Sequence, residues 1–298
     1  MTVALFPGQG VQQAGMNAGL DASAPEVFAT ASEVLGVDVA VLCSEGTAGA
    51  ADLASTRWAQ PAVLTCSVAA FRVLEGRGET FDAGAGHSIG EYAALVCAGV
   101  IDLADAVRLV ALRARATEEA ANAVPGGMAA VMKVERQLVE EICAGSGASL
   151  AADNSAGQLV ISGPLDAIER ARKLLDEAGA LTRTLDVAGA FHSSVMTPAA
   201  APLREAVHEV ELSTPRLDVW SSTTAAPIAD ADEIRRTLVD QLSSPVLWRE
   251  TVEGISAKHG SAFVDVGPGR VVGALAKRIV AGANVRSIAD LLAVGGDA

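Results

Sequence analysis

Short apolar runs alternate with helical periodicity along the first third of the chain. Val3–Phe6 is apolar over four residues and predicts a buried strand, followed by the Gly-rich turn Pro7-Gly8-Gln9-Gly10. Ala59–Leu74 repeats apolar residues at helical spacing. Glu91–Val100 predicts an Ala-rich helix, and Asp102–Asn122 a long helix that opens on acidic residues, as a helix N-terminus favours. Between Gly126 and Gly189 the pattern changes. Met128–Val134 predicts a strand, and Glu135–Ala144 an amphipathic helix with Leu138, Ile142 and Cys143 inward. Leu150–Ala152 and Gln158–Ser162 predict strands joined by a turn at Asp153-Asn154-Ser155-Ala156-Gly157. Leu165–Ala178 then predicts a helix and Leu181–Val187 a last strand. The order βαββαβ is that of a ferredoxin-like unit. Beyond it the larger alternation resumes with helices at Ala199–Val210, Ala231–Leu242 and Val271–Val280, and strands at Leu217–Trp220 and Ala262–Val266. The expected fold class is α/β, with a small domain at 126–189 interrupting a large, discontinuous domain at 1–125 and 190–298.

Composition narrows the function. Half of the 298 residues are hydrophobic but only 3% are aromatic, so the core is aliphatic and its helices pack closely. No apolar run reaches the roughly 18 residues that span a bilayer. The opening MTVALFPGQG has no basic start and reads directly as a buried strand, so no signal peptide is expected. Cys43, Cys66, Cys97 and Cys143 are well separated in apolar segments and read as small core residues of a cytoplasmic protein in a reducing compartment, without disulfide or metal site. A net charge of −14 argues against nucleic acid or an anionic membrane as partner.

The chemistry centres on Gly86-His87-Ser88-Ile89-Gly90, a G-x-S-x-G sequence between a short strand and a helix. That context is a nucleophile elbow, with serine at the apex and glycines where a side chain would collide with the turn. The N–H groups at the start of the following helix point at the site. A serine nucleophile needs a general base, most often histidine. Of the four histidines, His87 neighbours Ser88 on a strand and is expected to point away from it. His208 falls at the solvated edge of a helix, and His259 precedes Gly260 at a helix end, beside the C-terminal dipole. His192, in the small apolar loop Ala188-Gly189-Ala190-Phe191-His192-Ser193, remains as the base. No acid nearby is an obvious third triad member, but a backbone carbonyl also orients an imidazole.

Arg113 is out of place. Arg108, Arg115, Glu118, Glu119 and Asn122 share the polar face of the Asp102–Asn122 helix, whereas Arg113 is in register with Ala106, Leu109, Val110, Ala116 and Ala120. A guanidinium on the apolar side is costly unless a carboxylate meets its fork. Periodicity leaves open whether that carboxylate belongs to the protein or to a substrate.

Phe6-Pro7-Gly8-Gln9-Gly10, Gly86 through Tyr92, Arg113, Ala190-Phe191-His192-Ser193 and Val266-Gly267-Pro268-Gly269, in this order over nearly the whole chain, resemble the malonyl-CoA:acyl carrier protein transacylase family. The resemblance implies an α/β-hydrolase-like large domain with a parallel sheet and the ferredoxin-like insert. It implies ping-pong transfer of a malonyl group from malonyl-CoA through a malonyl-Ser88 ester to the phosphopantetheine thiol of an acyl carrier protein, with His192 moving the proton. It also implies an oxyanion hole from the Gln9 and Ile89 N–H groups and a malonyl carboxylate held by Arg113. The main-chain carbonyl of Gln241 would hold the second imidazole nitrogen. Phe191 resembles the malonyl-selective form of its motif, in which bulk disfavours an α-methyl group. No cofactor or metal is implied. Val11 departs from the small or polar residue common there, and Ile89 from leucine. An acidic carrier protein would need local basic residues such as Arg270, Lys277 or Arg278 on this acidic chain. The transfer would supply extender units for fatty acid synthesis. The alternative is a discrete acyltransferase of a polyketide or specialised pathway with the same chemistry, and a serine hydrolase, which shares the elbow and the histidine, is less favoured.

Overall fold

The computed structural model describes residues 1–45 and 52–293. Two sheets form. The larger has six strands: β1 (Val3–Phe6), β2 (Ala83–Gly86), β7 (Asp218–Ser221), β8 (Ala226–Pro227), β9 (Ala262–Asp265) and β10 (Asn284–Ser287). Their order is β10-β9-β1-β2-β7-β8, parallel throughout except for β8, which pairs antiparallel with β7 at the edge. β1 is apolar because both of its faces are covered, and none of its residues is exposed. It pairs with β2 on one side and β9 on the other, so the strand order reverses between β1 and β9, and an open α/β sheet binds its ligand beyond the C-terminal ends of the strands at such a reversal.

The smaller sheet is antiparallel and consists of β3 (Gly126–Met132), β4 (Ser149–Ser155), β5 (Gln158–Pro164) and β6 (Leu181–Thr184), in the order β4-β5-β3-β6. Helices Arg136–Ser146 and Leu165–Glu177 connect its strands, and the sheet encloses its own core of Val131, Val139, Ile161 and Leu175. Along the chain these elements run βαββαβ. Two details differ from expectation. Val139, not Leu138, is the fully buried residue of the first helix. The chain at Asp153-Asn154-Ser155 stays in β4, and only Ala156-Gly157 turns. These turn-forming residues are overridden by tertiary pairing, since β4 is held on both edges. Ladder partners in β5 lie on one side. On the other, Asp153 N donates to Val246 O and Val246 N to Ala151 O, each at 2.9 Å. Asp153, fully buried, also receives Arg249 Nη2 at 2.7 Å and so ties the small sheet to helix Trp248–His259.

Helix Thr56–Gly76, capped by Ser55, and helix Leu103–Ala123, capped by Asp102, pack against each other beside the nucleophile helix Gly90–Cys97. Periodicity does not announce helices Pro25–Leu35 and Trp248–His259 or strand β10. The four cysteines are buried and free. Among the described residues no helix is long and apolar enough to cross a membrane.

Candidate active site

The turn after β2 is built by backbone contact. A Cβ on Gly86 would lie 2.0 Å from the Gly90 carbonyl carbon, and one on Gly90 would lie 2.4 Å from the Phe6 carbonyl oxygen. Only glycine fits either position, so the G-x-S-x-G spacing also seats the elbow on the end of β1. Gly8 meets the same limit, 2.7 Å from the His87 carbonyl oxygen. Between the two glycines Ser88 takes φ 53°, a left-handed conformation that lifts its Oγ out of the turn.

Ser88 Oγ lies 2.8 Å from His192 Nε2. His192 is buried and also left-handed, at φ 58°. Its Nδ1 faces two carbonyl oxygens, Gln241 O at 2.7 Å and Ser244 O at 3.1 Å. Carbonyls only accept, so Nδ1 carries the proton and Nε2 is left to accept from Ser88. Burial, then the charge of Arg113 and the neighbouring His87, push the His192 pKa down to about 3. The imidazole is therefore neutral and in the tautomer that takes the serine proton.

Arg113 is 5% exposed on helix Leu103–Ala123. Nη1 donates to Gln60 Oε1 at 2.6 Å, and Nη2 to Gln241 Oε1 and Ser88 Oγ, each at 3.2 Å. Among the described residues no carboxylate lies within ion-pair distance of it, so the partner that periodicity left open is not an internal acid there. Glu91 is nearby, but its oxygens accept from Ser221 Oγ at 3.1 Å and from the Ser222 N–H at 3.2 Å. Burial raises the Glu91 pKa to about 7.

A cleft of about 290 Å³ between the two sheets is lined by Gln9, Ser88, Arg113, Phe191 and His192 on the large-sheet side, and by Asn154, Gln158 and Val160 on the small-sheet side. Val271, Val272 and Leu275 also line it. The Gln9 side chain donates to Thr56 Oγ1 at 3.2 Å, which fixes its turn. Neither the Gln9 N–H nor the Ile89 N–H has an acceptor among the described residues. One expectation fails: His87 does not turn away. It lines the same cleft, with Nε2 2.8 Å from Asn154 Oδ1. Strand alternation ends at Gly86, and the left-handed Ser88 leaves both side chains on one side. His208 is exposed, and His259 Nε2 meets Asp218 Oδ2 at 2.6 Å, so neither approaches the serine.

Asn154, Ser244 and the Gln60 side chain join the site unforeseen. Gln60 had a signal, a lone amide in the apolar register of Ala59, Ala62 and Val63. Asn154 has the chemistry of a turn residue, and a carbonyl acceptor such as Ser244 leaves no side-chain signature.

A serine–histidine pair, a pair of open N–H groups and a buried arginine in an α/β fold are the equipment of an enzyme that passes an acyl group through a serine ester. The model of the acyl transferase domain matches residues 3–292. The malonyl CoA-acyl carrier protein transacylase of Haemophilus influenzae is 39% identical over 298 residues, covering 96% of this chain and 95% of that protein. Among solved structures, the acyl carrier protein S-malonyltransferase of Vibrio cholerae superposes with a TM-score of 0.92 at 40% identity, covering 98% of this chain and 99% of that one. A malonyl-transacylase solved in complex with a type II PKS acyl-carrier protein gives 0.91 at 38% identity, covering 98% and 97%. The chain belongs to the acyl transferase family, among its malonyl CoA-acyl carrier protein transacylases.

Proposed function

We propose that this enzyme transfers the malonyl group of malonyl-CoA to the phosphopantetheine thiol of an acyl carrier protein. The observation that carries the reading is the meeting of Ser88, His192 and Arg113 within hydrogen-bond reach, with Arg113 lacking an internal carboxylate among the described residues. Ser88 Oγ gives its proton to His192 Nε2 and attacks the thioester carbon. The carbonyl oxygen takes up the charge of the broken π bond in reach of the Gln9 and Ile89 N–H groups. On collapse the C–S bond breaks, CoA leaves as the thiol with the proton from His192, and malonyl-Ser88 remains. The carrier thiol then gives His192 its proton, attacks the ester and leaves as the malonyl thioester, while Ser88 regains its hydrogen. Through both steps the Gln241 and Ser244 carbonyls hold the imidazole, and Arg113 holds the malonyl carboxylate as a bidentate pair.

The strand order of the small sheet supports a ferredoxin-like domain at 126–189, and the parallel pairing within the six-stranded sheet supports an α/β-hydrolase-like domain at 1–125 and 190–298. Phe191 at the cleft wall is the residue expected to disfavour an α-methyl group. For an acidic carrier, Arg278 donates to Oε1 of the cleft-lining Gln158 at 2.6 Å and Lys277 is exposed on the same helix turn, while Arg270 pairs with Asp290 at 3.0 Å. Four free, buried cysteines are in keeping with a cytoplasmic location. The carrier is read as that of fatty acid synthesis. A polyketide carrier is the second reading, favoured by the likeness to the complex described above.

The test is intact mass after mixing with malonyl-CoA alone. One malonyl group is expected on the protein, absent from Ser88→Ala. An adduct that persists in Ser88→Ala removes Ser88 as nucleophile, and steady CoA release without carrier protein marks a hydrolase.

A further inference from the structure

A guanidinium as buried as Arg113 is ordinarily met by a carboxylate, because leaving it unpaired is expensive. Here its acceptors are all neutral: the amide oxygens of Gln60 and Gln241 and the hydroxyl of Ser88. Arg113 Nε and Gln241 Nε2 are buried without a partner among the described residues. The two amides are themselves held. Gln60 Nε2 faces Thr117 Oγ1 at 3.4 Å, one turn along the helix that carries Arg113, and Thr117 in turn donates to the Arg113 carbonyl at 2.8 Å. Gln241 serves twice. Its main-chain oxygen accepts from His192 Nδ1 at 2.7 Å, and its side-chain oxygen accepts from Arg113. One residue therefore sets the register between the histidine and the arginine.

We propose that the side chains of Gln60 and Gln241 are positioning residues that determine specificity. They orient Arg113 with dipoles and leave its charge uncancelled, so that an acyl group bearing a carboxylate is chosen over an uncharged one. An acidic side chain in either place would orient the guanidinium equally well but satisfy it within the protein. The inference rests on the reading of Arg113 as the malonyl-carboxylate site.

The experiment compares kcat/KM for malonyl-CoA and acetyl-CoA in Gln60→Glu and Gln241→Glu, both nearly isosteric. Gln241→Glu also keeps the main-chain oxygen that His192 uses. Each variant is expected to lower the malonyl-to-acetyl ratio on the order of 10²-fold, as its new carboxylate competes for Arg113. Gln60→Met, which removes the acceptor without adding charge, is expected to lower the ratio by about tenfold or less and reads the cradle independently of any folding defect in the acidic variants. A merely structural role lowers both substrates alike. An unchanged ratio in all three variants overturns the inference. Arg113→Ala in the same assay separates the two levels: if it lowers the ratio and the glutamine variants do not, the cradle alone fails. If Arg113→Ala leaves the ratio unchanged, the carboxylate reading of Arg113 fails and the cradle with it.

Discussion

Ser88 and His192, 104 residues apart, meet at 2.8 Å with both backbones in the left-handed region, at φ 53° and 58°. Neither is glycine, and such conformations cost on the order of 1 kcal/mol or more each. The surrounding structure over-determines both. Ser88 is held between Gly86 and Gly90 in van der Waals contact, and His192 between two carbonyl oxygens and the serine. Local strain at each residue is offset by these surrounding contacts, so the pair is set before substrate arrives.

The glycine contacts give the first prediction. Gly90→Ala places a Cβ 2.4 Å from the Phe6 carbonyl oxygen, where only backbone movement relieves it. Overpacking of this kind costs about 1–3 kcal/mol or more. The expected result is a lowered melting temperature together with a malonyl adduct that forms slowly or not at all. Wild-type adduct kinetics in Gly90→Ala would show that the elbow tolerates displacement from β1.

Removing the histidines separates base from bystander. His192→Ala is expected to slow acylation by ~10²–10⁴-fold, the usual worth of a general base. His208→Ala is expected to be silent. His259→Ala loses the 2.6 Å contact to Asp218 and is expected to lower the melting temperature while sparing the acylation rate. Rapid-mixing CoA release in the three variants decides it, and an acylation defect in His208→Ala or His259→Ala as deep as that of His192→Ala defeats the assignment.

A base with a pKa of about 3 stays neutral across the working range. Acylation kcat/KM is therefore expected to be flat from about pH 5 to 8, with no inflection near the ordinary histidine value of about 6.5. For stability the sign is fixed by which state binds the proton. The unfolded chain protonates His192 first, so this residue's contribution is present above about pH 6.5 and is lost as pH falls toward 3. A rate profile halved near pH 6.5 would mean that the folded imidazole titrates normally.

Much of this site was legible because its constraints are local. Gly86 and Gly90 are four residues apart and touch each other, so their spacing announces the elbow. Arg113 stands out because helical periodicity places it among alanines and leucines. His192 emerges because the chain has few histidines, not because its own neighbours mark it. What escaped was set by tertiary contact. Asp153-Asn154-Ser155 has the chemistry of a turn, yet hydrogen bonds to the segment at Val246 hold it in β4 and bring Asn154 to His87. Gln60 lies within an apolar helix, and only the position of the neighbouring helix reveals that its amide faces Arg113.

Arg113→Ala tests the step from burial to substrate. Malonyl-CoA carries a carboxylate to pair with the guanidinium, and acetyl-CoA does not. Losing one side of a desolvated pair costs roughly 3–5 kcal/mol, or two to four decades in kcat/KM for malonyl-CoA. Acetyl-CoA is expected to suffer far less and to become the better substrate of the variant. Equal losses on both thioesters would remove the carboxylate from the account of Arg113.

Glu91 gives the last prediction. It is fully buried without an ion-pair partner among the described residues, and burial raises its pKa from 4.5 to about 7. The folded chain thus keeps a proton that the unfolded chain releases. The stability tied to that proton is full below about pH 4.5 and is lost as pH rises through 7. Glu91→Gln cannot ionise and its amide oxygen still accepts from Ser221 or Ser222, so the variant is expected to gain on the wild type as pH rises. The whole gain is about 3 kcal/mol, with each pKa unit worth about 1.4, and about 2 of it falls between pH ~5.5 and ~8. The measurement is the difference in unfolding free energy between variant and wild type at those two pH values. A difference that does not change with pH would mean that Glu91 is already charged at the lower one, held so by its serine donors and the field of Arg113.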